Sequence, residues 1–120
     1  MIIGIGTDIC HIERIRKLSP DAVARLLTAP ETEYCSRYAD REERIAGRFA
    51  AKEAILKALG TGWSQGLGWG QIEILPAASG APEATLIGPA REKLITLGAT
   101  RCLVSISHQG EYAVAFAIIE

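Results

Sequence analysis

Residues 40–60 read DREERIAGRFAAKEAILKALG, and this stretch decides the architecture. Ile45, Phe49, Leu56 and Leu59 recur at helical spacing over Arg41–Leu59, which gives the helix one apolar stripe for a core. Asp40 precedes Glu43 by three residues in a loose capping-box form that opens it. Gly60 closes it, because glycine accepts the left-handed backbone that ends many helices. It is the strongest helix in the chain, and the other elements are expected to pack on it.

Upstream, Ile2, Ile3, Ile5 and Ile9, with Gly4 and Gly6 between them, read as a buried strand, with Asp8 near its end. Ile12, Ile15 and Leu18 return to helical spacing, Ser19 then caps a second short helix with Pro20 in its first turn, and Thr28 with Glu31 forms a capping box. Downstream, residues 60–70, GTGWSQGLGWG, are too rich in glycine for a regular element. Strands are expected over 72–75 and 84–87 around a turn at 79–82. A helix over 89–97 follows, then strands over 102–107 and Tyr112–Ile119 joined by a hairpin at 108–111. The order predicts an α+β fold: a mostly antiparallel sheet packed on one long helix, with short N-terminal helices. A chain of 120 residues holds one domain, spanning 1–120.

Composition narrows the function. The formal net charge is −1, so no basic field argues for nucleic acid. Charge is nonetheless uneven. Arg14, Arg16, Lys17 and Arg25 cluster early, whereas residues 60–88 carry only Glu73 and Glu83 as charges, and such a local basic face suits a small acidic partner. Three widely spaced cysteines, Cys10, Cys35 and Cys102, give neither a disulfide framework nor a zinc pattern. No apolar run approaches the roughly twenty residues of a membrane span, and the N-terminus lacks a basic, then apolar, leader, so a cytoplasmic location away from membranes is expected.

Two carboxylates stand where packing alone would not put them. Asp8 interrupts an apolar strand, and Glu53 lies at the edge of the stripe of the long helix. A half-buried carboxylate must be paired, hydrogen-bonded or metal-bound, and magnesium suits two carboxylates completed by water and phosphate oxygens. From the residues alone Asp8 could equally cap a helix starting near Cys10, and Glu53 could equally pair with Lys57 one turn on. Arg48, Lys52 and Lys57 surround Glu53 just before the glycine-rich loop, a combination able to neutralise phosphates. Trp63 and Trp69 offer a stacking surface or plain packing, and His108, after Ser105 and Ser107, a phosphate contact, a base or an ordinary turn residue.

Taken together these segments resemble the holo-acyl-carrier-protein synthases, the small trimeric class of 4'-phosphopantetheinyl transferases. GIGTDI at 4–9, RFAAKEAILKALGTG at 48–62, WGQIEIL at 69–75, SGAP at 79–82 and SISH at 105–108 carry the resemblance nearly end to end. It implies the 4'-phosphopantetheinyl transferase fold and a magnesium-dependent transfer of phosphopantetheine from coenzyme A to a serine of apo acyl carrier protein, releasing 3',5'-ADP, in fatty acid biosynthesis. By that resemblance Asp8 and Glu53 are the metal ligands and, with Lys57, the catalytic set. Arg48, Lys57, Gly60, Thr61, Ser107 and His108 would bind coenzyme A, and Arg14, Lys17 and Arg25 would dock the acidic carrier, with Ile15 or Leu18 as apolar contacts. It also implies a homotrimer with active sites between subunits. The base that takes the serine proton stays open between a metal-activated water and a nearby carboxylate. Ala81, Gln71 and Gln109 depart from the pattern, at a lysine and at acids that relatives often carry. Two other readings use the same residues: a magnesium-dependent hydrolase of nucleotide pyrophosphates, and a catalytically silent binding module.

Overall fold

The computed structural model describes residues 1–62 and 66–120. The chain runs β1 (Gly4–His11), α1 (Ile12–Arg16), α2 (Pro20–Leu26), α3 (Ala29–Ser36), α4 (Arg41–Leu59), a 3-10 turn (Trp69–Gln71), β2 (Ile72–Pro76), β3 (Pro82–Leu86), α5 (Gly88–Thr96), β4 (Cys102–Gln109) and β5 (Tyr112–Ile119). The mixed helix and antiparallel sheet architecture is the expected one. The strands form two sheets rather than one: a three-stranded antiparallel sheet in the order β1-β5-β4, and the β2-β3 hairpin beside it.

The local signals act as their chemistry requires. Ser19 Oγ accepts from the Ala22 N–H and opens α2, and the Thr28–Glu31 capping box closes reciprocally at the start of α3. Asp40 caps α4 by accepting from the Glu43 N–H, and Gly60 ends it at φ 80°.

Two expectations about packing are corrected. The first is the single stripe on α4. Ile45, Phe49, Leu56 and Leu59 are buried, but so are Ala46, Ala50, Ala51, Ala54, Ile55 and Ala58, because α4 is wrapped by sheet on one side and by the short helices on another. The second is the face of β1. Ile5 and Ile9 point outward, 70% and 64% exposed, and Ile2 and Ile3 are not core residues either. The inward row is Gly4, Gly6, Asp8 and Cys10. Opposite it, β5 presents Ala113, Ala115 and Ala117, all buried, in register with Cys10, Asp8 and Gly6. This floor of small side chains lets α4 approach the sheet closely. A Cβ at Gly6 would lie 1.9 Å from the Ala54 carbonyl oxygen, and one at Gly4 would lie 2.1 Å from that of Ala58.

Candidate active site

The descent of β1 onto α4 brings Asp8 to the helix. Strand alternation puts its carboxylate on the inward row, two residues beyond Gly6, and its side chain is 18% exposed. Lys57 Nζ donates to Asp8 Oδ1 at 3.1 Å and to the Thr7 carbonyl at 2.9 Å. These bonds remove two simpler readings. Asp8 is not a helix cap, since α1 begins at Ile12 behind His11, which makes no side-chain capping bond. The ammonium of Lys57, moreover, is directed across to β1 rather than along its own helix. Glu53 sits one turn before Lys57 on the same helix face.

Among the described residues no group of three or more histidine, cysteine, aspartate or glutamate side chains converges. That arrangement does not suit zinc, which takes three or four protein ligands. The Asp8 carboxylate beside Lys57 is a hard oxygen donor of the kind magnesium takes, an ion that needs few protein ligands and leaves the rest of its shell to water and phosphate.

Glu53 also borders a groove of 270 Å³ together with Arg14, Ile15, Leu18, Arg25, Phe49 and Trp69. The Arg14 guanidinium lies 5.1 Å over the Phe49 ring. Of the three basic residues expected to face a partner, Arg14 and Arg25 line this groove. Lys17 does not; it stands at the end of α1, its N–H bonded to the Glu13 carbonyl. Trp69 packs against Phe49, with ring centroids 6.2 Å apart, and so belongs to the groove wall. Trp63 lies outside the described residues.

A second cavity, of 170 Å³, gathers Tyr34, Arg44, Arg48, Gly80, Pro82, Ile106 and His108. Arg48 is buried with its guanidinium 4.3 Å over the Tyr34 ring, and its Nε has no hydrogen-bond partner among the described residues. A buried guanidinium with a spare donor beside another arginine and a histidine is chemically suited to hold a phosphate. His108 Nε2 lies 3.1 Å from the Glu43 carbonyl, which can only accept, so that nitrogen carries the proton. The ring reaches this place because residue 47 is glycine: a Cβ there would stand 2.8 Å from His108 Nε2. Gly80 and Pro82 of the SGAP turn border the cavity, where Ala81 brings no charge.

The structure does not gather every candidate. Arg48 and Glu53 are five residues apart on α4, about 140° around the helix, and they line different cavities. Ser107 and His108 point to opposite faces of β4; Ser107 shares the outer face with Ile9 and Phe116. Gly60 and Thr61 follow α4 directly, with Thr61 Oγ1 donating to the Gly62 carbonyl at 3.3 Å. Lys52, grouped by sequence with the phosphate-facing cations, is instead fully buried and bonded to Glu31 at 2.6 Å.

Sequence reasoning misses Arg44, Tyr34 and Gly47, although a glycine inside a strong helix is a signal of close approach. Gln71, which in sequence is only a departure from an acid, ties neighbouring segments together. Its Oε1 accepts from the Ala90 N–H of α5, and its Nε2 donates to the Gly66 carbonyl. A larger cavity of 590 Å³ between β3, β4 and α5 holds none of the candidate residues.

Known proteins share the sequence and fold of this chain over nearly its whole length. Residues 4–117 match the family model of the 4'-phosphopantetheinyl transferase superfamily. A holo-[acyl-carrier-protein] synthase of Methylorubrum populi is 44% identical over all of this chain and 94% of its own. The crystal structure of the Neisseria meningitidis synthase superposes with a TM-score of 0.89 at 37% identity, covering 100% of this chain and 99% of that one. The Helicobacter pylori synthase, solved in complex with coenzyme A, gives 0.84 at 33% identity, covering 97% and 99%.

Proposed function

From the premise that this chain belongs to the 4'-phosphopantetheinyl transferase superfamily, among the holo-acyl-carrier-protein synthases, we propose that it moves the 4'-phosphopantetheine arm of coenzyme A onto a serine of apo acyl carrier protein. The products are the holo carrier and 3',5'-ADP, and the reaction serves fatty acid biosynthesis. The observation that carries this reading is the Asp8–Lys57 contact at 3.1 Å, a carboxylate and a cation brought together from segments 49 residues apart, with Glu53 one turn before Lys57 on α4.

Asp8 and Glu53 would hold magnesium, which when bound offsets negative charge on a pyrophosphate. Lys57 places a further positive charge beside those carboxylates. Arg48, Arg44 and His108 would hold the nucleotide's phosphates, and the backbone at Gly60 and Thr61 would border the same ligand. The serine oxygen forms a bond to the phosphorus nearer pantetheine, the bond from that phosphorus to the ADP oxygen breaks, and the serine proton is given up to a base. No residue of this chain becomes covalently attached, so positioning and electrostatics supply the rate. The carrier's acidic surface would meet Arg14 and Arg25 along the groove, with Lys17 adding charge beside it.

The active form is a homotrimer with sites between subunits. Two features support this. The outer face of β1-β5-β4 exposes Ile5, Ile9, Leu103, Tyr112 and Phe116 together, and exposed apolar faces of this kind mark interaction surfaces. Arg48 with His108 and, apart from them, Glu53 line separate cavities of one chain, an arrangement that a ligand lying between two copies would bridge. The enzyme acts as one domain in the cytoplasm. Among the described residues no helix is long and apolar enough to cross a membrane.

The test is release of 3',5'-ADP from coenzyme A, followed with and without apo carrier. A transferase releases it in proportion to carrier. Release independent of carrier would favour hydrolysis of the pyrophosphate instead.

A further inference from the structure

Beneath the groove that carries Arg14, Arg25 and Glu53 lies an ion pair with no solvent exposure. Lys52 Nζ donates to Glu31 Oε1 at 2.6 Å, to the Leu26 carbonyl at 2.7 Å and to the Trp69 carbonyl at 3.1 Å, which uses all three of its protons. Glu31 is equally occupied: Oε1 also accepts from the Thr28 N–H, and Oε2 from the Ile74 N–H, each at 2.8 Å. One buried contact therefore joins the end of α2, the start of α3, the middle of α4, the 3-10 turn and β2.

Stability is a weak reason for such a pair, because well-packed apolar side chains often replace a buried ion pair without loss. Apolar side chains cannot, however, hold two carbonyls at a fixed place. The carbonyls that Lys52 holds belong to Leu26 and Trp69, and both residues line the groove. The wall between them comes from Phe49 and Glu53, on the helix of Lys52 itself. The ammonium is thus bonded to two walls of the groove and built into the third.

We propose that Lys52 is a positioning residue for carrier recognition: its ammonium, oriented by Glu31, sets how far α2 and the Trp69 turn stand from α4, and hence the width of the groove. This rests on the reading of that groove as the carrier's docking face. The phosphate cradle of Arg44, Arg48 and His108 receives no bond from Lys52, so the effect falls on the carrier and not on coenzyme A.

The double variant Lys52→Met, Glu31→Gln keeps the two side chains' bulk and removes both charges. Its folding is checked by circular dichroism and thermal melting, and KM is then measured separately for apo carrier and for coenzyme A, with wild type alongside. The expected result is a rise of about ten-fold in KM for carrier, equivalent to ~1.4 kcal/mol, with KM for coenzyme A and kcat at saturating carrier close to wild type. Glu31→Gln alone, which preserves shape, serves if the double variant fails to fold, and should raise KM for carrier by about three-fold, roughly half that free energy. A folded variant with unchanged KM for carrier, or one in which both KM values rise together, overturns the proposal. If wild type itself modifies no carrier, the transfer reading has failed, which is a separate outcome.

Discussion

Gly47 and His108 are in contact with no room for a methyl group between them: a Cβ on residue 47 would lie 2.8 Å from the imidazole Nε2. The contact joins α4 to β4 and seats the histidine in the cavity with Arg44 and Arg48. Gly47→Ala should favour the helix by about 1 kcal/mol. Because the clashing atom is the free end of a side chain, the ring should move rather than the backbone. The variant is therefore expected to melt at or above the wild-type temperature while its KM for coenzyme A rises. Thermal melting with steady-state kinetics checks both, and an unchanged KM would remove His108 from nucleotide binding.

Gly6→Ala is expected to behave in the opposite way. Its new Cβ would meet the Ala54 carbonyl oxygen at 1.9 Å, a backbone atom of the central helix that cannot step aside. Such overpacking costs typically about 1–3 kcal/mol and more where backbone must shift. Urea denaturation should place this variant at the upper end of that range or fail to find a folded state.

Glu53→Ala and Asp8→Asn should each lower kcat by about 10²–10³-fold, the size of a lost electrostatic contact in a preorganised site. The circular dichroism spectrum and the oligomer size should stay those of wild type. Near-normal turnover in magnesium by either variant would refute the metal assignment.

Arg14→Glu should raise KM for the carrier and leave that for coenzyme A alone. In wild type the same KM should rise with salt as exposed charges are screened. Arg14→Glu should flatten that salt dependence, and kinetics in increasing sodium chloride will read it directly.

Burial pushes the Cys102 thiol up to about 11 from an ordinary value of 9.0. The unfolded chain then loses this proton before the folded one does. Its contribution to stability is whole below pH 9.0, shrinks as pH rises, and is gone above about 11. The loss is at most on the order of 2 kcal/mol for a partly exposed group. Denaturation midpoints of wild type and Cys102→Ala, compared across this range, should show the steeper fall in wild type.

Much of this was legible in the sequence because it is written locally. Ser19, Thr28 with Glu31, Asp40 and Gly60 each fix a helix end through neighbours a few residues away, and all four behave so in the structure. The face of β1 was not legible. Four isoleucines read as core, yet Gly4 and Gly6 face the helix, since the strand approaches α4 too closely for side chains. The rule that apolar residues turn inward fails where backbone itself is the packing surface. Lys52 was misplaced for a related reason: beside Glu53 and Lys57 it looked like one more phosphate contact. Its actual partners, Glu31, Leu26 and Trp69, come from three other segments that only the tertiary fold assembles. Asp8 and Glu53 stood out as carboxylates at uneasy positions, but the bond from Lys57 to Asp8 needed the strand's descent onto the helix to be seen.

The most direct measurement of the central claim is the intact mass of an apo acyl carrier protein after incubation with this chain, coenzyme A and magnesium. The expected result is a gain of one 4'-phosphopantetheine group on the carrier, abolished when EDTA replaces magnesium and in the Glu53→Ala variant. A carrier whose mass is unchanged, with the enzyme folded and several carriers tried, would contradict it.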